Sequence, residues 1–181
     1  MLYKVRDRLN IGNVNTYERF VNFQVSKSSE VAKIIEIFHL HPLNTSKHLN
    51  FLEFKKAYNL YHKSFTLNNL KDKNWNRLEI LEEIIKIKDS MNRKRINFDL
   101  PNDHYIKRTP YWLIGFIEGE GSFSIARNNN FTLELGISQT LSEKRVMSEI
   151  KVFLLDLPGN YKIRSKLSNV VALNEDKKAK N

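Results

Sequence analysis

Between Tyr111 and Phe123 the chain reads Tyr-Trp-Leu-Ile-Gly-Phe-Ile-Glu-Gly-Glu-Gly-Ser-Phe, the stretch whose residue types and spacing carry the most chemistry. Thr109 can cap a helix here and Pro110 suits its first position, where the missing N–H costs nothing. Glu118 and Glu120 then fall where that helix should end. The negative end of a helix dipole is a poor place for a carboxylate. A divalent cation would relieve the repulsion and suits hard oxygen ligands. The other reading is a turn leading into a strand, with two solvated glutamates. Gly115 and Gly119 lie four apart, so they stack on one helix face and let a second backbone approach closely. Each costs about 1 kcal/mol of helix propensity relative to alanine, and two together point to a packing requirement.

Composition limits the alternatives. The chain has 181 residues, 41% hydrophobic and 28% charged, which fits a packed protein of one domain and part of a second. Lys plus Arg number 30 against 20 Asp plus Glu, a net charge of +10. Such an excess suits a polyanionic partner, nucleic acid first and an anionic membrane second. Cysteine is absent, which excludes disulfides and thiolate metal sites. No apolar run reaches the roughly 18 to 20 residues of a membrane span, and no apolar segment follows the basic start as in a secretory signal. There is no Gly-rich phosphate loop, no nucleophile elbow and no HExxH. His39 and His41 read as surface or capping residues rather than a metal pair, and Trp75 and Trp112 as packing anchors.

The elements that must position the glutamates follow from periodicity. Residues 2–8 place Lys4, Arg6 and Arg8 alternately with Tyr3, Val5 and Asp7, which predicts a strand with three cations on one face. Asn10 to Asn13 is a turn signal, and Val21, Phe23 and Val25 alternate with Asn22 and Gln24 as in a second strand. Val31, Ile34, Ile35 and Phe38 mark an amphipathic helix opened by Ser28 or Ser29 and closed before Pro42. Helices are expected from about Ser46 to Tyr61, with Leu49, Leu52, Ala57 and Leu60 inward, and from about Trp75 to Met91, with Leu78, Leu81, Ile84 and Ile85 inward. Residues 92–109 lack a period and read as a linker. The short helix from Tyr111 to about Gly119 leads to two alternating segments, Ser122 to Arg127 and Phe131 to Gln139, joined by three asparagines. A last helix runs from about Ser142 to Leu155, stopped by Pro158-Gly159. Beyond it, Tyr161 to Ser168 matches Tyr3 to Asn10 position for position in kind, either as a repeat of a two-unit protein or as two unrelated basic strands.

The run Leu113 to Gly121, extended to Pro110 and Phe123, resembles the LAGLIDADG motif of homing endonucleases and RNA maturases. The hairpin, Gln139, the Ser142 helix and Tyr3 to Tyr61 are similar to fungal mitochondrial members. The resemblance implies an α+β fold of αββαββα units, paired through their motif helices glycine face to glycine face, with antiparallel sheets forming a saddle on double-stranded DNA. It implies residues 1–91 as the later part of one unit, 92–109 as a linker and 110–181 as the opening part of a second, both incomplete. It implies that Glu120 binds Mg²⁺ at the scissile phosphates with the main-chain carbonyl of Gly119, that Gln139 holds the attacking water, and that Lys27, with its register uncertain by one residue, stabilises transition-state charge. Glu118 more often caps and packs. Site-specific, Mg²⁺-dependent cleavage for intron homing in mitochondria follows, with an RNA maturase bound to its own intron RNA, or a non-enzymatic nucleic-acid-binding relic, as alternatives.

The chemistry of the residues agrees. Phosphodiester hydrolysis needs charge stabilisation at the attacking and leaving oxygens, which metals held by carboxylates supply. Strand cations meet phosphates and base edges. The candidates are Lys4, Arg6, Arg8, Arg127, Lys162, Arg164 and Lys166, any of which could instead lie on a solvated face. Only one motif is present. Its counterpart would fall upstream of Met1, so the truncated chain alone is expected to cut poorly if at all and to need a second motif helix, supplied by a missing segment or a second copy through Gly115 and Gly119. A fragment of a longer reading frame, a decayed relic and a self-associating subunit all satisfy that requirement.

Overall fold

The computed structural model describes residues 1–69, 77–126 and 131–158. They divide into two compact units, one of residues 1–43 and 47–98, the other of residues 44–46 and those from 99 onward. The fold is α+β, with one two-stranded antiparallel sheet in each unit among the described residues.

The first unit opens with a helix rather than the expected strand: α1, Leu2–Leu9, closed by Asn10 in the left-handed region at φ 52°. The period-two reading of residues 2–8 is therefore wrong. Leu2, Val5, Arg6 and Leu9 are the half-buried positions, and this i, i+3, i+4, i+7 pattern fits the same eight residues as well as alternation does. Gly12 follows at φ 74°, where a Cβ would stand 2.7 Å from the Phe23 ring and 2.8 Å from the Gln24 carbonyl oxygen. That reversal is open to glycine alone.

The chain then forms β1, Asn13–Thr16, and β2, Val21–Gln24, with Asn13 opposite Gln24 and Thr16 opposite Val21. The strand expected around Val21 thus exists, but its partner is Asn13–Thr16. Helix α1 packs on this hairpin, and the Tyr3 hydroxyl meets Thr16 Oγ1 at 3.1 Å.

Helix α2, Ser28–Leu40, has the expected bounds and buries Ile35. Its Glu30 carboxylate accepts the Gly12 N–H at 3.0 Å and pairs with Lys27 at 3.4 Å. Those contacts, the Gly12 bond first, hold Glu30 below the ordinary carboxylate pKa against the opposing effect of partial desolvation.

Helix α3, Lys47–Asn69, runs further than expected and packs on α4, Arg77–Asp89, with Lys56 and Glu83 paired at 3.1 Å. Their inward faces match the expected ones in part: Leu49, Ala57, Leu60 and Ile84 are half-buried, whereas Leu52, Leu78, Leu81 and Ile85 are exposed, and among the described residues the buried positions are His48 and Phe51 on α3 and Ile87 on α4. Charged neighbours such as Glu79, Glu82, Glu83 and Lys86 leave α4 without a sharp apolar stripe for the sequence to reveal.

In the second unit the core is Ile106, Leu113, Val146 and Ile150, with Trp112, Phe116, Ile117 and Ile137 packed around it. Ile106 and the buried His104 come from the stretch expected to link two units. That stretch is anchored: the Asn44 side-chain amide donates to the Lys107 carbonyl and its oxygen accepts the Lys107 N–H, both at 2.9 Å. Arg145 donates to the carbonyls of Pro101 and His104. Buried Glu143 accepts the Ser46 N–H at 2.9 Å.

Candidate functional site

Helix α5, Pro110–Glu120, begins as its sequence dictates. The Thr109 hydroxyl accepts the Trp112 N–H at 3.1 Å, and Pro110 occupies the first turn. Leu113 is buried, and Trp112 stacks on Phe116 with ring centroids 5.1 Å apart, which makes Trp112 the expected packing anchor. Trp75 lies outside the described residues.

The opposite side of α5 is open. Tyr111, Ile114, Gly115, Glu118 and Gly119 are exposed, and a Cβ added at Gly115 or Gly119 would meet nothing within 4 Å. Among the described residues, the two glycines are therefore not needed for clearance. Gly121 is the reverse case: a Cβ there would sit 2.6 Å from the Ile117 carbonyl oxygen. It ends the helix by donating its N–H to that same oxygen and lets the chain pass straight into a strand.

That strand, β3, Gly121–Ala126, pairs antiparallel with β4, Thr132–Ile137. Alternation separates two faces. Phe123, Ile125, Leu133 and Leu135 share one, and all are exposed. Ser122, Ser124, Thr132 and Glu134 share the other. A 3₁₀ turn at Leu141–Glu143 leads to α6, Lys144–Leu155, which buries Val146 and Ile150.

The predicted catalytic residues are placed as follows. Glu120 is exposed and is the last residue of α5. Gln139 is half-buried, two residues beyond Ile137, which pairs with Gly121. The hairpin register therefore brings the chain positions of Glu120 and Gln139 to the same end of β3–β4. The Gly119 carbonyl lies in the last turn of α5, where carbonyl groups lack intrahelical partners. Lys27 belongs to the first unit, exposed and paired with Glu30.

Of the predicted DNA-contacting cations, Lys4, Arg6 and Arg8 do not form the expected strand face, because they lie on helix α1. Lys4 and Arg8 share the exposed side of α1. Arg6 is turned from them, bound to Asp7 at 2.6 Å with its guanidinium 5.3 Å from the Tyr3 ring centroid. Arg127, Lys162, Arg164 and Lys166 lie outside the described residues, as does the second half of the Tyr3–Asn10 match.

Hard oxygen donors at the end of α5 fit a divalent cation, because the Glu120 carboxylate stands beside the negative end of a helix dipole and is open to solvent. No group of three or more His, Asp or Glu that could hold a metal occurs among the described residues.

Sequence reasoning missed a feature of the first hairpin. Asn13, Asn15, Asn22 and Gln24 all project from one face of β1–β2, opposite the face that carries Thr16 and Tyr3. The alternation Asn-Val-Asn-Thr was the available signal, hidden by taking Asn13 as part of a turn.

Comparison with known proteins identifies the family. The family model described as LAGLIDADG endonuclease matches residues 1–58 and 113–181. A probable intron-encoded endonuclease, Cox1-I1b of Schizosaccharomyces pombe, is 28% identical over 174 residues, covering 94% of this chain and 42% of its own length. The uncharacterized mitochondrial protein RF1 of Saccharomyces cerevisiae is 26% identical over 86% of this chain and 30% of its own. Among solved structures, the LAGLIDADG homing endonuclease I-GzeII in complex with its DNA target superposes with a TM-score of 0.62 at 26% identity, over 84% of this chain and 56% of that one. The chain thus spans less than half the length of these curated relatives. It belongs to the LAGLIDADG endonuclease family.

Proposed function

We propose that this chain is part of a site-specific endonuclease that binds double-stranded DNA and hydrolyses its phosphodiester bonds with Mg²⁺, in fungal mitochondria and in the service of intron homing. The observation that carries this reading is the position of Glu120: an exposed carboxylate ends a helix whose glycine face is open, at the hairpin end that also carries Gln139. The intron-encoded and mitochondrial relatives support the cellular setting.

In this reading the Glu120 carboxylate and the Gly119 carbonyl hold the cation. Bound Mg²⁺ supplies Lewis-acid stabilisation of the charge on the transferring phosphate. Gln139 orients water at the same end of the hairpin through its amide. Lys27 offers its ammonium group to the developing charge. The open Gly115–Gly119 face receives a second motif helix, from a further segment or a second copy, bringing a second carboxylate to the site. Residues 1–91 and 110–181 correspond to two units of the family fold.

Glu120→Gln tests the assignment. It removes the charge and keeps the shape, so cleavage of a bound target in Mg²⁺ should be abolished while DNA affinity changes little. Cleavage retained in Glu120→Gln would contradict it. Any intron-splicing activity should also survive that substitution, which separates the maturase alternative from nuclease chemistry.

A further inference from the structure

Residues 44–46 stand far in sequence from the rest of the second unit, yet they belong to it. They touch it at two points. The Asn44 side chain, 4% exposed, donates to the Lys107 carbonyl and accepts the Lys107 N–H, both at 2.9 Å. A carboxamide matched to a peptide group in this way is used as donor and acceptor at once, so it fixes direction as well as distance. Two residues on, the Ser46 N–H donates to Glu143 Oε1 at 2.9 Å.

The two points of contact bracket the candidate site. Lys107 lies two residues before Thr109, the cap of α5, and Glu143 lies four residues beyond Gln139. Helix α5 and strands β3 and β4 lie between them in the chain. Three residues therefore grip both ends of the stretch that carries Glu120 and Gln139. Arg145 ties the same two ends a second time, donating from the first turn of α6 to the carbonyls of Pro101 and His104.

Glu143 is a poor choice for packing alone. It is 5% exposed, and its Oε2 is buried with no hydrogen-bond partner among the described residues. Burying a carboxylate costs free energy that one hydrogen bond does not return, and an apolar residue of similar size would stabilise more. What the carboxylate adds is an acceptor of fixed direction for Ser46, which sets register where apolar packing would allow sliding.

We infer that Asn44 and Glu143 are positioning residues, which act through Lys107 and Ser46 to hold the end of α5, with Glu120, against the exit of β4, with Gln139. This rests on the reading that Glu120 holds the cation and Gln139 the water, and extends it to two residues that touch neither.

The test exploits a chain without cysteine. Nitroxide labels on Glu118→Cys and Leu141→Cys, both exposed positions, report the separation of the α5 end from the β4 exit through dipolar broadening of the spectrum. The full chain and Glu143→Gln, whose amide oxygen still accepts the Ser46 N–H, should give one narrow distance. Asn44→Ala and Glu143→Ala should spread it while circular dichroism shows both folded. Asn44→Asp, which keeps the acceptor and lacks the donor, should spread it less and serves if Asn44→Ala does not fold. Without labels, single-turnover cleavage should fall roughly tenfold in the alanine variants at unchanged DNA affinity and be retained in Glu143→Gln. A narrow distance in both alanine variants overturns the inference, as does a spread distance without loss of cleavage. Glu143→Gln behaving as Glu143→Ala overturns it too, because charge rather than the acceptor would then matter. A full chain that neither binds nor cuts duplex DNA overturns the endonuclease reading, while the label distances still decide the inference.

Discussion

Gly121 pairs with Ile137 across β3–β4, and this one register places the residue before the strand, Glu120, and the residue two beyond its partner, Gln139, at the same end of the hairpin. If Glu120 holds the cation and Gln139 the water, the two substitutions should differ in kind. Gln139→Ala should slow cleavage by about 100-fold through misplacement of the nucleophile, with DNA affinity unchanged. Single-turnover cleavage beside equilibrium binding would check this, and an equal loss of both would contradict it.

Two glycines should be hard to replace, for different reasons. Gly12→Ala forces a side chain into the left-handed region at φ 74° and against the Phe23 ring. Gly121→Ala places a methyl group 2.6 Å from the Ile117 carbonyl oxygen, to which the Gly121 N–H is bonded. Each should cost about 2 kcal/mol or more. Gly115→Ala, with nothing within 4 Å of the new carbon, should leave the isolated chain unharmed or slightly stabilised through helix propensity. Urea midpoints at constant slope would separate the three.

Acid sensitivity should have a traceable component. Glu30 is held below its ordinary value of 4.5, first by the Gly12 N–H and also by Lys27. Asp89 is held down in the same way by the hydrogen bond and charge of Lys94. A carboxylate with a depressed folded pKa contributes stability that is fully present above its unfolded value and lost as pH falls through the folded one. Unfolding free energy should therefore decline below about pH 4.5, and Glu30→Gln should flatten part of that decline. A profile unaffected by Glu30→Gln would show the Gly12 bond to be thermodynamically silent.

DNA affinity should fall steeply with salt, with a log–log slope of about −0.9 for each phosphate neutralised. Lys4→Ala, Arg6→Ala and Arg8→Ala should change that slope little, because all three lie on α1, packed against β1–β2, and not on a strand face. Titrations at several salt concentrations would show it. A drop in slope of about one for each substitution would restore the picture of a single cationic face.

The elements that the sequence revealed are those with one dominant period. Thr109, Pro110 and the run to Glu120 announced α5 because cap, first-turn proline and apolar spacing all agree. The alternation on either side of the three asparagines announced β3 and β4. Residues 2–9 misled because eight residues with Leu2, Val5 and Leu9 satisfy both templates, and only packing against β1–β2 decides between them. The anchoring of residues 99–109 depended on distant partners, Asn44 and Arg145, which no local pattern announces. The amide face needed the register of two strands, one of them hidden next to a turn.

The most direct measurement replaces Mg²⁺ with Fe²⁺ in the DNA complex and generates hydroxyl radicals with ascorbate and peroxide, which cut the backbone nearest the metal. A cation held at the end of α5 predicts protein scission confined to residues around 118–121, lost in Glu120→Gln although DNA remains bound. Scission elsewhere, or the same scission in Glu120→Gln, would contradict the assignment of the metal to Glu120.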